Sequence, residues 1–178
     1  PSTEEPDSIK IIEPDSFSIV ASIVPAPLEV ERGGVTLELA HNFLGLNNVS
    51  ITRDNKWAII GDREFSSSSG IPVLSTDHAL IIDLEKRELA QTITVGGGAS
   101  ATSVSPTEDL FALVSAVELS LIDPNGEGRE FVSTGTSQFL ESSRPTFSPD
   151  GRNLYVASPI LDLINVYDVK TVVTTAGI

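Results

Sequence analysis

Three observations predict an all-β fold built from repeated four-stranded sheets. A short apolar strand, a polar turn and a second apolar strand recur along the chain, as VSITRDNKWAIIG, TSVSPTEDLFALV and PTFSPDGRNLYVA. Each copy is followed by an alternating strand that ends in an acid, as ALIID, ELSLID and LINVYD. No stretch sustains the 3.6-residue apolar period of an amphipathic helix, which sets aside the α/β alternatives. Units of this kind with four strands each are the signature of a β-propeller, whose sheets radiate around a central channel and pack face to face. The chain reads as about three complete blades, preceded by the outer strands of another, and as part of a larger closed propeller.

Taken in order, residues 1–8 open with PSTEEP, a polar tether. Residues 9–24 hold two strands, SIKIIE and the run Phe17–Val24, which are the outer pair of an incomplete blade. Residues 25–46 are an insertion, and residues 47–95 a blade interrupted by a second insertion at 65–77. Within it, Val49–Thr52, Trp57–Gly61, Ala79–Asp83 and Leu89–Val95 should run antiparallel from the channel outward. Two further blades cover 101–134 and 144–178, with Glu130–Thr134 and Thr171–Thr175 as their outermost strands. The hairpin turns are Arg53–Lys56, Pro106–Asp109 and Pro149–Arg152, rich in residues that favour tight turns for backbone reasons. Ile51, Val104 and Phe147 precede them; the second interval is close to the roughly 40–45 residues of a propeller repeat, and the first is lengthened by the insertion.

Composition narrows the function classes. The 178 residues carry a net charge of −14, a field that repels phosphate backbones and anionic headgroups, so nucleic acid is not expected as a partner. Cysteine is absent, which excludes disulfides and thiolate metal sites and leaves packing to supply stability. No apolar run reaches the roughly 18 residues of a membrane span. Methionine is also absent, so the chain reads as a processed product or a segment of something longer.

Leu154-Tyr155-Val156-Ala157-Ser158, followed by Asn165-Val166-Tyr167-Asp168, resembles the strands that name the YVTN family of β-propellers, and TITVGGGASATSVSP at Thr92–Pro106 is similar to that family's connection between blades. The resemblance covers roughly Ile9 to Ile178, with two interruptions. It implies the architecture, and a relative among surface-layer proteins, periplasmic binding proteins, lactonase-like enzymes or propeller subunits that carry a partner's redox cofactor. Lactonase-like members place acidic, Asn, and Arg or His side chains around the channel, sometimes with a divalent metal; no such set maps onto this sequence residue by residue.

The recurring polar positions have structural explanations. Asp83, Asp123 and Asp168 sit where a strand gives way to a turn, where an Asp accepts backbone N–H groups. Gly96–Gly98 lets the chain cross between blades; a phosphate-cradling role would require a helix after it, and none is indicated. His41 and His78 are the only imidazoles, and no Ser-His-Asp, paired-His or Cys-His constellation can be assembled. Asp54 with Asn55, and Asp62 with Arg63 and Glu64, are conceivable components of a site but read as solvated turns. Asn48-Val49-Ser50 matches a glycosylation acceptor at the start of a strand expected to be buried, which argues against its use. Catalytic, cofactor-binding and metal-binding residues are therefore none, and no cofactor is called for.

Function on a repeat scaffold concentrates in the loops that break the repeat. The candidate interaction residues are Phe43, Leu44 and Leu46 in the first insertion and Phe65, Ile71, Val73 and Leu74 in the second, around a flexible Ser66–Gly70 run. The expectation is a non-catalytic scaffold of an exported, periplasmic or cell-surface protein, working through its loops on a protein partner. The remainder of the propeller is to come from the same polypeptide, a second fragment or identical copies. The competing expectation is a fragment of a lactonase-like hydrolase or redox-associated propeller enzyme whose site is completed outside this chain.

Overall fold

A computed structural model describes residues 8–24, 28–32, 35–39, 48–62, 78–95, 99–115, 118–126, 129–133, 144–158 and 162–170. These form fifteen strands and no helix among the elements assigned. Strands β1 (Ile9–Ile12) and β2 (Ile19–Ile23) make sheet 1, a two-stranded antiparallel pair. Sheet 2 orders β5 (Asn48–Ile51), β6 (Trp57–Asp62), β7 (His78–Asp83) and β8 (Glu88–Thr94), each antiparallel to the next. Sheet 3 repeats that order with β9 (Ala99–Val104), β10 (Phe111–Ser115), β11 (Glu118–Ile122) and β12 (Arg129–Ser133). Sheet 4 contains β13 (Thr146–Phe147), β14 (Asn153–Ser158) and β15 (Leu163–Asp168); its expected outer strand Thr171–Thr175 lies outside the described residues.

Register explains why the apolar runs are continuous rather than alternating. Successive residues of a strand point to opposite faces, and in sheets 2 and 3 both faces are covered. Ala58, Ile60, Leu80 and Ile82 meet Ile23 of sheet 1, while Ile59, Ala79 and Ile81 meet Phe111, Leu113 and Ile122 of sheet 3. From the far side of sheet 3, Ala112, Val114, Leu119 and Leu121 pack on Phe147, Leu154 and Val156 of sheet 4. The core is thus three apolar layers between four sheets. Each fully buried Leu, Ile or Phe in those layers contributes on the order of 1.5–3 kcal/mol by leaving water.

The first insertion contains an element that sequence reading assigned to irregular structure. Leu28–Arg32 (β3) and Val35–Leu39 (β4) pair antiparallel from Leu28↔Leu39 to Arg32↔Val35, a two-stranded hairpin outside the repeated sheets. LEVER and VTLEL alternate apolar and polar residues, the period of a strand with one covered face. The alternation was legible in those residues, and the loop expectation is corrected accordingly. The second insertion, the Gly96–Gly98 crossing and His41 lie outside the described residues.

Candidate functional site

The three hairpin turns are built on one chemical plan. Thr52, Ser105 and Ser148 each close the turn by donating a backbone N–H to the carbonyl oxygen of the residue five positions on, Trp57, Leu110 and Asn153. In the first and third turns the hydroxyl oxygen also accepts that same residue's N–H, at 3.0 Å from Trp57 and 2.9 Å from Asn153. The hydroxyl then donates to a carboxylate two residues along, 2.7 Å from Thr52 to Asp54 and 2.6 Å from Ser148 to Asp150. Those carboxylates in turn accept the N–H of Lys56 and Arg152. The residue at the tip stands in the left-handed region, Asn55 at φ 60° and Gly151 at φ 70°, as residue types able to adopt it.

The middle turn departs from the plan. Thr107 stands where the other turns have Asp, and the Ser105 oxygen instead accepts the longer N–H contacts of Thr107 at 3.3 Å and Glu108 at 3.4 Å. Buried Thr52, Ser105 and Ser148 were not singled out from sequence, although a hydroxyl residue recurs directly before each turn. That recurrence was the available signal.

Electrostatics follow from these bonds. The Thr52 hydroxyl, then the Lys56 N–H, hold the Asp54 carboxyl below the usual carboxylate range, and the Ser148 hydroxyl, then the Arg152 N–H, do the same for Asp150. Asp83 is lowered chiefly by the backbone N–H of Lys86, 2.8 Å from Oδ1, with the Lys86 ammonium 3.1 Å from Oδ2. Asp123 likewise accepts the N–H of Asn125 at 2.8 Å. Asp83 and Asp123 are therefore turn-closing residues, as their position after a strand implied.

The first strands of sheets 2, 3 and 4 converge on a groove of about 560 Å³, lined by Val49, Ile51, Ser103, Val104, Arg144 and Thr146 among others. Val49 and Ile51 are 53% and 45% exposed, although each belongs to an apolar strand. Ser50 does not open into solvent, because its hydroxyl lies 2.9 Å from that of Thr102, a polar stitch between sheets 2 and 3. The Asn48 amide donates to the Thr102 carbonyl at 3.1 Å, so the amide of the glycosylation triplet is engaged in the same stitch. The buried hydroxyl of Ser103 has no hydrogen-bond partner among the described residues. Arg144 brings a guanidinium to this lining, where Lys, Asp and Glu do not appear among the described residues.

None of the seven residues singled out for interaction, Phe43, Leu44, Leu46, Phe65, Ile71, Val73 and Leu74, lies within the described residues. Asp54 and Asn55 are placed in the first hairpin turn, as a solvated turn requires, while Arg63 and Glu64 lie outside. His78 begins β7, paired with Asp62 and Thr94 across its two neighbours. Among the described residues no three His, Asp or Glu side chains gather in a metal-binding cluster. No helix among them is long and apolar enough to cross a membrane.

No protein-family model matches the sequence, and no curated protein matches it. Solved structures do. The chain is similar to Kuenenia stuttgartiensis hydrazine synthase, with a TM-score of 0.62 at 12% identity over 93% of this chain and 41% of that one. It is similar to the β-propeller domain of Myceliophteria thermophila Cps50 (Swd1), at TM-score 0.62 and 12% identity over 92% of this chain and 46% of that one. The WD40 domain of Neurospora crassa Pan2 follows at TM-score 0.53 and 12% identity, over 86% and 42%. The fold is that of a β-propeller, and the chain spans less than half the length of each of these structures.

Proposed function

We propose that this chain is a non-catalytic propeller scaffold of YVTN type, belonging to an exported or cell-surface protein and binding an extended protein segment in the groove between its first strands. One observation carries the reading. The recurrent polar side chains, Thr52, Asp54, Asp83, Ser148 and Asp150, close turns, whereas Val49, Ile51 and Arg144 line one groove together. Exposed aliphatics beside one guanidinium suit a peptide with apolar side chains and a carboxylate. The inner edge of β5, hydrogen-bonded to β6 alone within its sheet, offers main-chain groups to an added strand.

Selection of binders from a random peptide display library tests this. Selected peptides should be enriched in apolar and acidic residues, and Ile51→Asp and Arg144→Glu should each weaken them at least tenfold, while the remote Glu88→Gln leaves them unchanged. Peptides indifferent to both groove substitutions would remove the groove from the reading. Turnover of lactones by the purified chain, abolished by Ser103→Ala, would replace the scaffold reading with the enzymatic one. Fractionation of the source cells, with the chain recovered only from the cytoplasm, would overturn its exported or surface placement.

A further inference from the structure

Asn125 is followed by Gly126, the only Asn-Gly pair in the chain. The two lie in the turn after β11, where the Asn125 N–H donates to the Asp123 carboxylate at 2.8 Å and the Gly126 N–H to the Asp123 carbonyl at 3.3 Å. Nothing in this turn demands a glycine. Gly151 is held at φ 70° with the space for a Cβ taken by Thr107, whereas Gly126 lies outside the left-handed region and a Cβ on it would meet Asp123 at 3.4 Å, an ordinary contact. What Gly126 does supply is an unshielded backbone nitrogen next to the Asn125 side-chain amide. That nitrogen is also the most loosely held, since the other backbone bonds of the described turns measure 2.8–3.0 Å.

The amide is presented for attack. Asn125 is exposed, and its Oδ1 accepts the Trp57 indole N–H at 3.1 Å, a contact that ties this turn of sheet 3 to the start of β6 in sheet 2. An N–H donor at that oxygen stabilises the negative charge that builds on it when a nucleophile adds to Cγ. We infer that Asn125-Gly126 is a self-modification site, at which the chain deamidates through a succinimide with the help of the Trp57 indole and so loosens the seam between sheets 2 and 3. The Gly126 nitrogen gives up its proton to water and forms a bond to Asn125 Cγ; the Cγ–Nδ2 bond breaks, and Nδ2 takes up a proton and leaves as ammonia. Water then opens the ring. Addition at Cγ leaves aspartate, and addition at the main-chain carbonyl carbon leaves isoaspartate, with the backbone now running through Cβ and Cγ. No electrons are transferred. In isoaspartate the free carboxylate sits directly on Cα, one methylene short of the position from which Oδ1 meets Trp57, and either product sets a new negative charge beside the Asp123 carboxylate. Neither Asn125 nor Trp57 lines the groove, so this site stands apart from the peptide-binding reading.

Peptide mapping by mass spectrometry tests this on the whole chain, aged at body temperature in mildly alkaline buffer. Asn125 should convert at least tenfold faster than Asn55, the other asparagine in a described turn, with isoaspartate detected by isoaspartyl methyltransferase labelling. Emission from the single tryptophan of the chain should shift to longer wavelength in step with that conversion. Gly126→Ala, with β-sheet circular dichroism unchanged, should slow conversion at least tenfold because a methyl group shields the nitrogen. Trp57→Phe should slow it severalfold by removing the donor to Oδ1. Conversion at Asn125 no faster than at Asn55 in the unmodified chain would overturn the proposal. So would conversion unchanged or faster in Trp57→Phe, which would make the indole a clamp on the amide, or tryptophan emission that stays constant while Asn125 is lost.

Discussion

Strands β10 and β14 hold the same position in successive sheets, each paired with the first strand of its sheet, and they live in opposite surroundings. Every residue of β10, Phe111 to Ser115, is buried, because sheet 2 covers one face and sheet 4 the other. In β14 only alternate residues, Leu154, Val156 and Ser158, are buried, and the Tyr155 ring between them is 38% exposed. The neighbouring strand β15 repeats the contrast, with Ile164 and Val166 facing out where Leu119 and Leu121 of β11 face in. A strand's apolar content therefore records how many faces it is suited to bury, and its observed exposure how many are covered. Where the two disagree, as in sheet 4, a surface is waiting for a neighbour.

The largest expected effect separates the covered layer from the bare one. Leu113→Ala, at the centre of the layer between sheets 2 and 3, should cost about 2–5 kcal/mol in denaturant unfolding through lost burial and an unfilled cavity. At Val166, 58% exposed on the uncovered face of sheet 4, substitution by Ala should change stability by less than about 0.5 kcal/mol. Equal losses at the two positions would break the comparison.

A smaller effect is expected where sheets 3 and 4 touch through their turns. Gly151 sits at φ 70°, and a Cβ there would collide with the Thr107 hydroxyl. Gly151→Ala should therefore cost about 1–3 kcal/mol, and adding Thr107→Gly should recover the steric part while leaving the backbone part. Full loss in both variants would place the whole penalty in the backbone. Smaller again, Ser148→Ala should remove about 1 kcal/mol, because its hydroxyl accepts from Asn153 and donates to Asp150. Ser105→Ala should cost less, since the middle turn has only the longer contacts to Thr107 and Glu108. A larger loss at Ser105 than at Ser148 would show that the Asp-containing turn is not the stronger one.

Acid sharpens the same distinction most gently. The carboxyls of Asp54, Asp83 and Asp150 are lowered from 3.8 in the folded chain. Their contribution is complete above that unfolded value and is lost as pH falls from it through the lowered folded values. Thermal unfolding followed from pH 6 to pH 2 should show the melting temperature declining below about pH 4. Asp83→Asn and Asp150→Asn should each flatten the decline, and an unchanged slope in both would remove these carboxyls as its cause.

The repeat was open to sequence reading because its signals are local. A turn needs residues such as Asn55 and Gly151 that accept a left-handed backbone, and a strand buried on both faces needs an unbroken apolar run such as Phe111–Val114. An acid after a strand, such as Asp83 or Asp123, needs only its own next turn to find its N–H partners. Each of these requirements is met within a few residues, so composition and spacing along the chain reveal it, down to the antiparallel order of sheets 2 and 3. The β3–β4 hairpin obeys the same local rule through the alternation of LEVER and VTLEL.

What the tertiary structure decided are the pairings between residues far apart in sequence. Nothing local joins Ser50 to Thr102, or brings Val49, Ser103 and Arg144 to one groove; those meetings depend on how one sheet is rotated against the next. Whether an apolar run is covered on one face or both is settled in the same way. Ile81, Leu121 and Val166 are equivalent aliphatic residues in equivalent strands, and only the presence of a following sheet makes the first two core and the third surface. Burial belongs to the stack rather than to the strand, because water is excluded by a neighbour's side chains and not by the residue's own.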